Sequence, residues 1–130
     1  MKTNEIKEGN KLIAEFMGLK PVKTFGKYSI SQDHCVCSEE TEEKAMCGFA
    51  SIAKYNSSWD WLMPVVGKIE QVTLPDHPEG FGMRIQGLDV IVMDNEDLEW
   101  ISENAPQMSN KMECAYIHVI EFIKWYNENK

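Results

Sequence analysis

The chain has 130 residues, 43% of them hydrophobic, and its 21 acidic and 13 basic side chains give a net charge of -8 at neutral pH. One globular domain over residues 1–130 is expected at this length, and the acidic balance argues against direct binding to the polyanions DNA and RNA. The charged start of the chain lacks the apolar core of a secretory signal and no apolar run reaches the length of a membrane span, so a cytoplasmic protein with no membrane contact is expected.

The first element is a helix over residues 5–17. Ile6, Ile13, Phe16 and Met17 share one stripe, while Lys7, Lys11 and Glu15 turn outward. Gly18 suits the left-handed position that closes a helix, and Pro21 prevents continuation. The stretch FGKYSISQDHCVCSEE alternates and carries β-formers, which predicts one strand or two short ones over residues 27–37. SEETEEK reads as a turn or a helix start. KAMCGFASIAKY fits a helix through Ala45, Met46, Phe49, Ile52 and Ala53, but Gly48 weakens that reading and leaves a strand as the alternative.

NSSWDWLMPVVG predicts a helix to about Val72, capped by Ser57 or Ser58 and kinked at Pro64. Trp59, Leu62, Met63, Val66 and Ile69 form its core face, and Trp61 lies on another face beside Val65 and Lys68. LPDHPEGFG is a loop. Strands are expected over residues 82–85 and 88–93, joined by a weak QG turn. The polar stretch that follows holds Leu98, Trp100 and Ile101, which add a short strand or anchor the loop. A last helix over residues 109–127 carries a core stripe of Met112, Ala115, Tyr116, Val119, Ile123 and Tyr126. This order predicts an α+β domain, with about three helices packed on a mainly antiparallel sheet.

Three blocks, NKLIAEFMG at residues 10–18, YNSSWDWLMPVVGKIE at 55–70 and YIHVIEFIKWYNENK at 116–130, resemble the phage alpha-beta-alpha sandwich domain family, small proteins of phages, prophages and Bacteroidetes-type genomes. The middle block carries most of the resemblance. It implies a small three-layer alpha-beta-alpha sandwich, and it brings no activity and no catalytic residues.

Several side-chain groups invite a chemical reading. His34, Cys35, Cys37 and Cys47 supply the four ligands a tetrahedral zinc needs, yet C-x-C is tighter than the usual zinc spacing and no second pair follows. On a strand, Cys35 and Cys37 share a face as small core residues and His34 points away. A cysteine nucleophile needs a histidine beside it in space, and nothing in the spacing selects among His34, His77 and His118 for Cys35, Cys37, Cys47 or Cys114. Two carboxylate runs, Glu39, Glu40, Glu42, Glu43 and Asp94, Glu96, Asp97, Glu99, read as solvated surface rather than Mg²⁺ or Ca²⁺ sites.

The function expected is therefore non-enzymatic: a phage-type accessory protein acting by binding. The first run of carboxylates is an acidic surface toward a host protein, such as a basic or nucleic-acid-binding protein of a defence system. Trp61 and Val65 add an apolar patch for that partner or for a homodimer. No cofactor is expected, zinc being the one candidate. The alternatives are a small-molecule-binding or sequestering domain and, third, an enzyme.

Overall fold

The structure, a computed structural model, describes residues 3–32, 35–86, 89–95, 100–102 and 111–130. The fold is α+β and every strand pairing is antiparallel, as the sequence predicts. Where one sheet was expected, the described residues form two, each in its own compact unit: Met1–Lys54 and Tyr55–Lys130.

The first unit opens with α1 (Thr3–Phe16), which buries Ile13 and Ala14. Gly18, at φ 80°, closes it. The Gly18 N–H donates to the Glu15 carbonyl (3.0 Å) and the Leu19 N–H to the Ala14 carbonyl (3.0 Å), the paired bonds of a Schellman ending. A three-stranded sheet follows in the order β1 (Val22–Thr24), β2 (Lys27–Gln32), β3 (Cys35–Glu39). β1 is one strand more than the sequence indicated. Then comes α2 (Glu42–Ile52), which settles the ambiguous KAMCGFASIAKY stretch as a helix. Thr41 caps it, its hydroxyl accepting from the Lys44 N–H, and Glu42 and Glu43 sit in the first turn, where the helix dipole favours negative charge.

α2 packs on β2 and β3, and α1 packs on α2. Buried Asn10 ties the helices together: its amide donates to the carbonyls of Ala50 (2.9 Å) and Ala53 (3.1 Å), at the C-terminal end of α2. Gly48 stays in this helix because it faces β3 closely. A Cβ built there would lie 2.5 Å from the Cys37 sulfur. Gly48→Ala is therefore expected to cost about 1–2 kcal/mol, overpacking outweighing the gain in helix propensity. In a Cys37→Ala background the same substitution should become neutral or stabilising. Urea unfolding followed by far-UV circular dichroism reads that non-additivity.

The second unit contains α3 (Trp59–Gln71), a sheet ordered β4 (Phe81–Gln86), β5 (Asp89–Asp94), β6 (Trp100–Ser102), and α4 (Lys111–Asn129). α3 packs on β4 and α4 on β5 and β6, with α3 also touching α4. Its large buried side chains include Tyr55, Leu62, Ile69, Phe81, Tyr116, Phe122 and Ile123. Ser58 is the N-cap of α3 by backbone alone: its carbonyl accepts from Trp61 and Leu62, and its side chain makes no cap bond. The helix runs through Pro64 to Gln71. The expected QG turn falls on Gly87, outside the described residues.

α3 is rotated about its axis relative to the sequence expectation. Its buried residues are Trp61, Leu62, Val65, Val66 and Ile69, while Trp59 (37%) and Met63 (47%) are exposed. At 100° per residue this moves the centre of the core face by roughly 60°. Leu62, Val66 and Ile69 belong to both faces, so periodicity alone did not decide which flank is buried. Packing against Tyr55 decides it: the Trp61 ring meets Tyr55 edge-on at 5.1 Å.

Candidate functional site

The rotation of α3 removes half of the expected partner surface. Trp61 is 9% exposed and Val65 is fully buried, so neither offers a face to a partner. They are core residues of the second unit.

The other half of that surface, the first run of carboxylates, sits where β3 passes into α2. Glu40, Glu42 and Glu43 are exposed and Glu39 is half-buried. The register places Glu39 across from Tyr28, and Tyr28 across from Lys23, in one row over the sheet. The Lys23 ammonium lies 5.9 Å from the centre of the Tyr28 ring. The carboxylates therefore share one end of the sheet with the β1–β2 hairpin turn, where Lys23 and Lys27 are exposed. Residues 1–54 contain eight lysines and eight acidic residues, while residues 55–130 contain five basic and thirteen acidic ones. The net charge of -8 thus belongs to the second unit. The first is neutral.

At the tip of this end is Phe25, which the sequence reading had not singled out. β1 and β2 are joined by two residues, Phe25 (φ 51°) and Gly26 (φ 80°). Positive φ at both central positions is the signature of a type I′ hairpin turn, which normally takes Asn-Gly or Asp-Gly. Phe25 is the one non-glycine residue with positive φ among the described residues, and it is 102% exposed. A bulky side chain in the left-handed region costs about 1–2 kcal/mol. Here no burial offsets that cost. The signal available in the sequence was TFGK between two β-forming runs, with an aromatic where the turn chemistry calls for asparagine.

The cysteine group divides. Cys35 and Cys37 alternate onto the half-buried face of β3 under α2, as a strand requires, and the Cys37 sulfur lies against Gly48. Cys47 is half-buried on α2 and Cys114 is buried on α4. All four are free thiols. Desolvation raises the Cys35 and Cys37 thiols above their usual range, helped by the neighbouring Cys37 at the first and by Glu39 at the second. This favours the protonated thiol over the more nucleophilic thiolate. His34 lies outside the described residues, and among those described no group of three His, Cys, Asp or Glu is placed to hold a metal ion.

The second unit holds a pairing that the sequence did not indicate. Asp94, expected in a solvated run, is fully buried, and its carboxylate pairs with Nδ1 of His77. Strand alternation is the reason: Val92 and Asp94 are two apart on β5, and both face inward. The rest of that run, Glu96, Asp97 and Glu99, lies outside the described residues. His77 is held in place by reciprocal backbone bonds with Leu74. Its ring packs against Phe81 (5.4 Å) and Trp125 (5.3 Å). A buried carboxylate orienting an imidazole is the support half of an acid–base dyad. Through Asp94 and Trp125 the His77 ring also acts as a clamp that fastens the 74–80 loop to β5 and α4. His118 is buried on α4, one turn along the helix from the buried Cys114.

Neither family models, nor curated proteins, nor solved structures give a match to this chain.

Proposed function

We propose that the chain is a non-enzymatic protein-binding module whose contact surface is the hairpin end of the first unit. Phe25 is the apolar anchor. Lys23 and Lys27 stand beside it on β1 and β2, and Glu39, Glu40, Glu42 and Glu43 lie toward the β3 side. The observation that carries this reading is Phe25 itself, wholly exposed in a backbone conformation that disfavours it. Residues held in such conformations cluster at binding and switch sites, and exposed aromatics are the commonest hot spots of protein interfaces.

The reading modifies the acidic-inhibitor idea. Glu42 and Glu43 already serve the N-terminus of α2, and lysines stand beside the run. A partner with both an acidic and a basic rim around an apolar pocket fits this end better than a uniformly basic one. The accessory, host-directed role expected from the sequence is compatible with such a module.

Phe25→Asn tests this directly. Asparagine suits the turn and no buried contact is lost, so the first unit should gain about 0.5–1 kcal/mol. Capture of a protein partner from lysate should drop at least about tenfold, as expected for loss of a hot spot. Capture that is unchanged by the substitution would remove the hairpin end as the contact surface.

A further inference from the structure

We infer that Cys35 and Cys37 form a two-thiolate site for a soft monovalent cation of the Cu(I) class. The site lies between β3 and α2 and is independent of the hairpin end. Both cysteines belong to the row of β3 that faces α2: they are half-buried, while Val36 and Ser38 are exposed on the other face. Alternate residues of a strand stand about 6.4–6.8 Å apart. Two side chains leaning toward each other from that base can hold one ion between their sulfurs. The helix above leaves the Cys37 sulfur room. α2 presents Gly48 there, and a Cβ at that position would lie 2.5 Å from this sulfur. Half-burial leaves a path for the ion and limits the access of water.

The donor set selects the ion. Structural zinc takes four ligands, and among the described residues no group of three His, Cys, Asp or Glu is placed to hold a metal ion. A monovalent ion with a filled d shell needs fewer: two thiolates hold it in a near-linear arrangement, and their softness favours Cu(I). On binding, each thiol gives its proton to solvent as its sulfur–copper bond forms. Two thiols and one Cu(I) thus yield a complex with a single negative charge and release two protons. The surroundings bear on that charge. Desolvation raises the Cys35 thiol and the nearby Cys37 adds to the rise, while Lys54, exposed just past α2, opposes it. Desolvation also raises Cys37, with Glu39 adding to it. In the loaded site Lys54 faces a net negative charge rather than a neutral pair of thiols, an attraction that favours the complex. The proton preference of the metal-free pair is overcome by the ion itself, which deprotonates a coordinating thiol outright.

The experiment is a titration of the reduced chain with Cu(I) under nitrogen, in competition with a chromogenic Cu(I) chelator. The chain should take one equivalent from the chelator and develop the ultraviolet absorption of a copper thiolate. Cys35→Ser and Cys37→Ser should each weaken the capture at least about a hundredfold, and Cys47→Ser and Cys114→Ser should leave it unchanged. A substitution at a half-buried position can loosen the sheet, so the wild-type chain is also tested by alkylation. With Cu(I) bound, N-ethylmaleimide should spare Cys35 and Cys37 together and still modify Cys47, as read by peptide mass. Failure to take Cu(I) from the chelator overturns the inference, as do capture that survives either of the first two substitutions and protection of only one of the two thiols.

Discussion

His77→Leu is expected to cost the second unit about 2–4 kcal/mol, because it removes the imidazole that pairs with the fully buried Asp94 carboxylate. The asymmetry of the pair makes the effect large: Asp94 is 0% exposed and His77 16%. Water can reach the histidine but not the carboxylate. Adding Asp94→Asn to the same chain should recover about 2 kcal/mol, since a neutral amide of the same shape needs no counter-ion. All four tryptophans, Trp59, Trp61, Trp100 and Trp125, lie in residues 55–130, so denaturant unfolding followed by tryptophan fluorescence reports on this unit. Equal losses in the single and double variants would mean that the pair is not the clamp described above.

Asn10→Leu is the corresponding experiment in the first unit. Asn10 is 1% exposed, and its amide serves two carbonyls at the end of α2 that have left the helical ladder. Leucine fills a similar volume but donates nothing. The loss is expected at about 2–4 kcal/mol, one desolvated acceptor at each carbonyl. Asn10→Asp should be at least as costly, because it turns a carboxylate toward two carbonyl oxygens. No tryptophan lies in this unit, so far-UV circular dichroism or amide exchange on α1 and α2 is the appropriate readout.

Much of the secondary structure was legible in the sequence, because it depends on short-range signals. Gly18 ends α1 as its position implies, and the alternation around Cys35 and Cys37 gives the face they occupy. What was not legible depends on contacts distant in the chain. Gly48 argued against a helix on propensity, yet it is required by the Cys37 sulfur eleven residues before it. The face of α3 was ambiguous because two stripes share three residues, and contacts made by the folded unit, such as that of Trp61 with Tyr55, distinguish them. Asp94 read as one acid among four, although its parity with Val92 already turned it inward. Composition described a uniformly acidic chain, whereas the division into units confines the excess charge to residues 55–130.

Phe25 shows the same limit at the functional end. Its exposure follows from the hairpin register, and its strain from the left-handed geometry of a two-residue turn. Neither is apparent until the strands are paired. Asparagine is the residue such a turn favours, and the proposed binding role accounts for an aromatic ring in its place. The decisive measurement is to determine, on one preparation of Phe25→Asn, both the unfolding free energy of the first unit and the capture of the binding partner. The account predicts that stability rises by about 0.5–1 kcal/mol while binding is lost. A variant that is less stable than wild type, or that binds as well, would contradict it.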